Sequence, residues 1–276
     1  MITEINNPKQ YDAFINGLSC NPDFSDPHFA YDPDNLYLAA KEKDHHLYIS
    51  EDNGHIDGIF VWLIIPEEKY VELIVGLSRS KEAWTAMIGH IEAANPGAQM
   101  DFVFNPGNAV LTEVLKTRNA EFEKPQKKLR VVRDVSCGSA CRAAELSAEY
   151  EKQYTDLHEK DTYWTAERVL AARDHFRVIA AVEKGELVGY LDVTSNYDEN
   201  EIYDLYAKAG YEEYRKDMLA RALQLNGARG LMVQVDIDDA SEIGLYEEMG
   251  FETVKGSESI YATYRTVSNA KKKGTI

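Results

Sequence analysis

Seven histidines and three cysteines are the first candidates for chemistry, and their spacing rules out most of it. His45 and His46 are adjacent, so on a strand they point to opposite faces and cannot share a metal. No other histidine spacing suggests a metal, and none is expected. Cys137 and Cys141 have three residues between them, not the two of a redox or zinc knuckle, and Cys20 stands apart. All three read as free thiols of a reducing cytosol. Aromatic residues are more suggestive. The segment TDLHEKDTYWTAERV (155–169) gathers His158, Tyr163 and Trp164, which either form an aromatic wall for a cation or anchor a helix. Tyrosines 203, 206, 211 and 214 either line a pocket or belong to a core.

Charge narrows the partners. Lys plus Arg is 30 and Asp plus Glu is 47, a formal net charge of −17. Such a chain is repelled by polyphosphate and by anionic membranes, so neither nucleic acid nor a membrane is an expected partner. The acidity suits a cationic small substrate and also serves plain solubility. At 276 residues, with 44% apolar and 28% charged, the chain has material for one large domain or two ordinary ones. The start, MITEINNPKQ, lacks a secretory pattern, and the longest apolar run, Ile59–Ile65, is far short of the ~20 residues of a membrane helix. A cytoplasmic location is expected.

The elements that must position any site repeat along the chain. LYISEDNGHIDG (47–58) and VIAAVEKGELVG (178–189) each read as strand, Gly turn and strand, with Gly54 and Gly58 standing 131 residues before Gly185 and Gly189. At the same offset Met87 meets Met218, Asn95 meets Asn226, MDFVFN (100–105) meets LMVQVD (231–236), and Asn108-Ala109 meets Asp239-Ala240. The strand before the first helix fits better with a one-residue slip. In the second copy, EIYDLYA (201–207) alternates as a strand, and YEEYRKDMLARALQLN (211–226) carries an apolar stripe at 214, 218, 219, 222 and 225 that Gly227 ends. GLMVQVD (230–236) reads as a buried strand and 240–250 as a short helix stopped by Gly250. The first copy predicts a helix over 80–95, a strand over 100–105 and a short helix over 108–118. KLRVVRDV closes copy one as its last strand, CGSA (137–140) is a break, and a helix is expected over 142–153. The predicted organisation is two α/β domains with mixed sheets, 1–134 and 135–267, then a frayed basic tail, 268–276.

The second copy resembles the GNAT acyltransferase superfamily. The likeness rests on EIYDLYA, YRKDMLARAL, MVQVDID and above all Leu-Tyr-Glu-Glu-Met-Gly-Phe (245–251), near the family's Leu-Tyr-Glu-Lys-Leu-Gly-Phe signature, with the hairpin VEKGELVGYLDV upstream. The first copy carries a fainter version over 46–123, so the whole chain looks like a tandem GNAT protein. The resemblance implies an acetyl-CoA arm lying between two splayed parallel strands, along Leu205, Tyr206 and Ala207, with its diphosphate on the next helix N-terminus. The family places Arg/Gln-x-x-Gly-x-Gly/Ala there; this chain has Arg215, Lys216, Met218 and Ala220, so Met218 departs from the pattern. The preceding loop, AKAGYEE, is about three residues longer than is usual, and Gly210 is a candidate for its tight turn.

Further roles follow from the same resemblance. A carboxylate on the preceding strand takes a proton from the attacking amine; counting along the strand selects Glu201, and counting back from Arg215 selects Asp204. A regular strand turns these two side chains to opposite faces, so only one is expected in the site. Tyr246 stands at the general acid that protonates the departing thiolate. Asp239 replaces a frequent Asn and reads best as a helix cap. GNAT proteins commonly close the acceptor site with the early helical region that holds His158, Tyr163 and Trp164. In copy one, Leu115 falls where Tyr246 would be and Trp84 where Arg215 would be, so that copy is expected to be structural, shaping the acceptor cleft or a homodimer. The expected activity is transfer of acetyl from acetyl-CoA to a primary amine of a small molecule or peptide. The rival is a non-catalytic binding module of the same fold. Aminoacyl transfer from charged tRNA is weakened by the net charge of −17.

Overall fold

The computed structural model describes residues 1–21, 23–24, 35–132, 142–160 and 162–267. Cys137, Cys141, the expected break at 137–140 and the tail 268–276 lie outside the described residues. The chain divides into two compact units, Met1–Gln126 with Lys255–Ile276, and Lys127–Val254. Each is a seven-stranded mixed sheet flanked by helices, the α/β class. Among the described residues no helix is long and apolar enough to cross a membrane, and no group of three or more His, Cys, Asp or Glu is placed to hold a metal.

Unit 1 contains β1 (Ile2–Glu4), α1 (Asp12–Ser19), α2 (Asn35–Ala39), β2 (His45–Asp52), β3 (His55–Ile65), β4 (Tyr70–Leu77), α3 (Lys81–Ala94), β5 (Gln99–Phe104), α4 (Ala109–Lys116) and β6 (Glu121–Phe122). Asn53 and Gly54, both at positive φ (50° and 80°), turn β2 into β3, the geometry that a tight hairpin requires. Ser80 caps α3 by accepting from the Ala83 amide. Trp84 of α3 is fully buried, and a Cβ on Gly76 of β4 would lie 2.4 Å from its ring, so the glycine makes room for the indole.

Unit 2 contains β7 (Gln126–Val131), β8 (Ala143–Glu145), α5 (Glu151–Leu157), α6 (Ala166–Ala171), β9 (Phe176–Glu183), β10 (Glu186–Thr194), β11 (Glu199–Ala207), α7 (Tyr214–Asn226), β12 (Gly230–Asp236), α8 (Ala240–Glu248) and β13 (Phe251–Thr253). Lys184 and Gly185 make the β9–β10 turn with φ of 52° and 84°. One face of the sheet packs Leu191, Val193 and Ile202 against Met218 and Leu219 of α7. The other packs Tyr190, Ala180 and Phe176 against Tyr154 of α5 and Val169 of α6.

The helix expected over 142–153 is corrected. Ala143–Glu145 instead forms an edge strand, pairing antiparallel with Ile179–Ala181, and α-helix begins only at Glu151. Pairing on an open sheet edge overrides the helical propensity of an Ala-rich segment.

The sequence copies and the spatial units are cut differently. β7, the last strand of copy one, lies between β12 and β13 in the sheet of unit 2. The last strand of copy two, β14 (Ile260–Arg265), lies between β5 and β6 in unit 1. The copies have exchanged their closing strands. Hence the spatial piece 127–254 is expected to unfold cooperatively with dispersed amide NMR signals. The sequence copy 135–267 is expected to fail both tests, because it lacks the strand beside β12 and carries β14 without a partner. Comparable folding of the two fragments would show that the exchanged strands are dispensable.

Candidate active site

β11 and β12 are parallel but are zipped only where Glu199–Ile202 faces Gly230–Val233. Both strands continue past this point, and β11 keeps its other neighbour, with Leu205, Tyr206 and Ala207 opposite Leu191, Tyr190 and Gly189. The inner edge of 203–207 therefore borders a splay rather than a strand, and its polar backbone is available to an extended ligand. β4 and β5 of unit 1 separate in the same way beyond Leu73 and Phe102.

A β-bulge decides which side chains face this splay. Asp192 pairs with Asp204, but Val193 pairs with Ile202, so Tyr203 is an extra residue on β11. The extra residue reverses the alternation: Asp204 shares the face of Asp192, and so does Glu201. The expectation that Glu201 and Asp204 face opposite ways is thus corrected. Tyr190 donates to Asp204 Oδ2 at 2.6 Å, and the Tyr203 hydroxyl favours the Glu201 anion. Burial pushes the Glu201 carboxyl up to about 7, against the opposing pull of Lys128. A carboxyl that titrates at neutrality is a competent proton acceptor at physiological pH.

The three aromatic candidates part company. His158 is 5% exposed, with Nε2 2.9 Å from Asp192 Oδ2 and Nδ1 donating to the Glu159 carbonyl at 2.7 Å. Burial opposes its charge, but the Asp192 carboxylate and that carbonyl prevail and raise its pKa. Tyr154 donates to the same Asp192 oxygen at 2.8 Å, and the His158 ring stacks on Tyr190. His158 thus supports the sheet face from below and does not line an open wall, which corrects that expectation. Tyr163 is exposed, with the Arg168 guanidinium 4.5 Å above its ring. Trp164 packs on Phe176 and meets Tyr203 edge-on at 6.4 Å, beside Glu201. Of the four tyrosines, Tyr203 and Tyr206 are partly exposed on the acid-bearing strand, whereas Tyr214 is buried with its hydroxyl on Glu183.

On the opposite side of the splay, Asp239 caps α8 by accepting from the Ser241 and Glu242 amides. Tyr246 is 3% exposed, packs edge-on against Phe251, and burial pushes its hydroxyl pKa up. Arg215 donates to Glu242 and Lys216 to Glu248, both on α8. Met218 and Ala220 are buried in α7, where they are core residues rather than parts of a loop, and a Cβ on Gly189 would meet the Met218 methyl at 2.9 Å. The Gly210 amide, at φ 87°, is taken by the Glu212 carboxylate. The splay therefore fits an extended thioester arm. At the N-terminus of α7 Arg142 pairs with Glu213 and Asp217, so a diphosphate there would compete with acids for Arg142, Arg215 and Lys216.

Two groups escaped sequence reasoning. Lys128 and Asp192 sit in ordinary strands and come near the acids of β11 only through strand pairing. In unit 1, Trp84 and Leu115 are buried. Yet Glu72 stands two residues before the bulge at Ile74, as Glu201 does before Tyr203, so that copy keeps one acid that the gapless repeat hid.

A carboxyl that titrates near 7 when folded and near ~4.3 when unfolded holds its proton more tightly in the native state. Its stabilising contribution is present below the unfolded value and is lost as pH rises through 7. Urea unfolding should therefore show Glu201→Gln gaining on the parent between pH 4.5 and 8, by up to about 3 kcal/mol. A constant difference across that range would mean the carboxyl is not buried in this way.

Residues 143–251, almost the whole of unit 2, match the model of the acetyltransferase (GNAT) family. No curated protein sequence matches the chain. A GCN5-related N-acetyltransferase from Sphaerobacter thermophilus superposes with a TM-score of 0.62 at 10% identity, covering 97% of this chain and 96% of that one. A tandem GNAT protein from the clavulanic acid biosynthesis pathway gives 0.51 at 10% identity over 96% and 98%. An acetyltransferase from the GNAT family of Colwellia psychrerythraea gives 0.50 at 9% identity over 96% and 99%. At these identities the structural likeness is one of fold, and it extends over both copies. The GNAT acetyltransferase family match thus covers residues 143–251 of unit 2, and the whole chain shares the fold of these GNAT structures.

Proposed function

We propose that unit 2 is a cytoplasmic N-acetyltransferase that moves an acetyl group from acetyl-CoA to a primary amine of a small molecule or peptide. The observation that carries this reading is Glu201, a half-buried carboxyl held near 7 at the mouth of the splay. An ammonium has no lone pair, so a primary amine must lose a proton before it attacks, and Glu201 is the acceptor for it. Asp204, on the same face and tied to the Tyr190 hydroxyl, is the alternative. Bound acetyl-CoA supplies an activated thioester carbonyl. The inner backbone edge of Leu205–Ala207 offers amide donors toward that carbonyl. Tyr246, kept protonated by burial, is the candidate donor of a proton from Oη to the leaving sulfur. Tyr203, Tyr206 and Trp164 beside the acids favour a cationic acceptor, in keeping with the acidity of the chain.

One observation favours a second reading, a GNAT-fold binding module without acyl transfer. Arg215 and Lys216 are already paired with acids, and Met218 replaces the family's glycine. Titration calorimetry separates the two. One acetyl-CoA per chain is expected, weakened by Arg215→Ala and Lys216→Ala; no heat at millimolar ligand would favour the binding module.

Glu201→Gln and Tyr246→Phe are expected to slow turnover by ~10²–10⁴-fold with acetyl-CoA affinity nearly intact. Glu201→Gln should recover as pH rises, because more amine arrives already deprotonated. Tyr246→Phe should not recover, since its missing step is protonation of the thiolate. A pH-rescued defect in Asp204→Asn with a silent Glu201→Gln would move the base to Asp204.

A further inference from the structure

β7 is separated from β11 by one strand, β12, so a side chain on β7 reaches β11 only by crossing β12. The crossing is open at one place. Gly230 of β12 lies opposite Glu199 of β11, and a Cβ there would sit 3.2 Å from both Cβ and Cγ of that glutamate. With no side chain at 230, Lys128 and Arg130, two residues apart on β7, both converge on the Glu199 carboxylate. Lys128 is fully buried, whereas the Arg130 side chain is 41% exposed. Glu199 precedes Glu201 by two positions on the same strand, so the two carboxylates share a face. The buried ammonium thus ion-pairs Glu199, and its charge also reaches Glu201, two residues further along β11.

We propose that Lys128, carried into unit 2 by the strand exchanged from the first copy, is a positioning residue for Glu201. Its charge keeps Glu201 able to ionise inside the sheet face, and Glu199 sets how much of that charge Glu201 receives. The catalytic meaning of this arrangement rests on the reading of Glu201 as the base; the electrostatic arrangement does not.

The surroundings of Glu201 contain few other charges. β7 brings Lys128, with Arg130 beyond Glu199; β11 brings Glu199, the Tyr203 hydroxyl and, past the bulge, Asp204. Met232 is the residue opposite on β12, and Thr194 on β10 accepts the Glu201 amide through its hydroxyl. Trp164, behind Tyr203, is uncharged. Further along the face, Asp192 is held by His158. Burial and Glu199 disfavour the Glu201 anion, while Lys128 and Tyr203 favour it. Removing Lys128 and neutralising Glu199 must therefore act in opposite directions. Damage to packing has no reason to produce that pattern.

The test uses the full chain labelled with carboxyl-¹³C glutamate and titrated by NMR, with Glu201→Gln assigning the Glu201 signal. The parent midpoint is expected near 7. Lys128→Met should raise it by about one pH unit or more, Glu199→Gln should lower it, and Lys128→Arg should hold it within about half a unit. Midpoints that do not move, or that move the same way in Lys128→Met and Glu199→Gln, overturn the proposal. If Lys128→Met does not fold, Glu199→Gln decides alone: a midpoint that stays or rises overturns it. Failure of the catalytic reading is seen separately, as undiminished turnover in Glu201→Gln, because the titration needs no substrate.

Discussion

β12 cannot stand as an edge strand. Leu231, Val233 and Val235 are buried, and the strand separates from β11 after Val233, so its remaining support must come from its other side. That support is β7, a strand from the other copy of the repeat. The splay that opens a cleft on one flank of β12 is affordable because the opposite flank is filled, and Leu129 of β7 is fully buried in the same core as Met218 and Phe251. Unit 1 solves the same problem in the same way, with β14 lodged beside β5.

The site grows from this arrangement through two local irregularities. The extra residue at Tyr203 turns a pair of acids that a regular strand would separate onto one face, and it adds an aromatic ring beside them. The glycine at 230 lets cationic side chains of the inserted strand cross to that face. Everything else there is buttress. The His158–Asp192–Tyr154 cluster fixes Tyr190, and the Tyr190 hydroxyl fixes Asp204. A half-buried carboxyl with a neutral-range titration depends on such surroundings, because desolvation favours its protonated form.

Some of this was legible from residues alone. The repeat showed through Gly54 and Gly185 because tight hairpins demand positive φ, a requirement that composition records. The α7 stripe and the Gly250 stop showed for similar reasons of period and backbone freedom. The bulge did not show, because Tyr203 is an ordinary strand residue and only its pairing marks it as extra. The strand count and the helix count differ over Glu201 and Asp204 by three residues, which matches the longer loop AKAGYEE rather than the single extra residue of the bulge. The exchange was equally hidden: β7 and β14 carry normal strand patterns, and nothing local says which sheet receives them. Residues 143–145 looked helical because their propensity is helical; the vacant edge of β9 decided otherwise.

The exchange also orders events during synthesis. Unit 2 has all of its strands once Thr253 has left the ribosome, although it was begun second. Unit 1, begun first, waits for Ile260–Arg265 to slide between β5 and β6, and until then those strands have a gap between them. The N-terminal half is thus the last to be completed, and it spends most of translation with an unsatisfied sheet interior. Holdase chaperones that shield exposed strand edges would be needed by the half of the chain that emerges first, and release from them would come only as the final strand arrives.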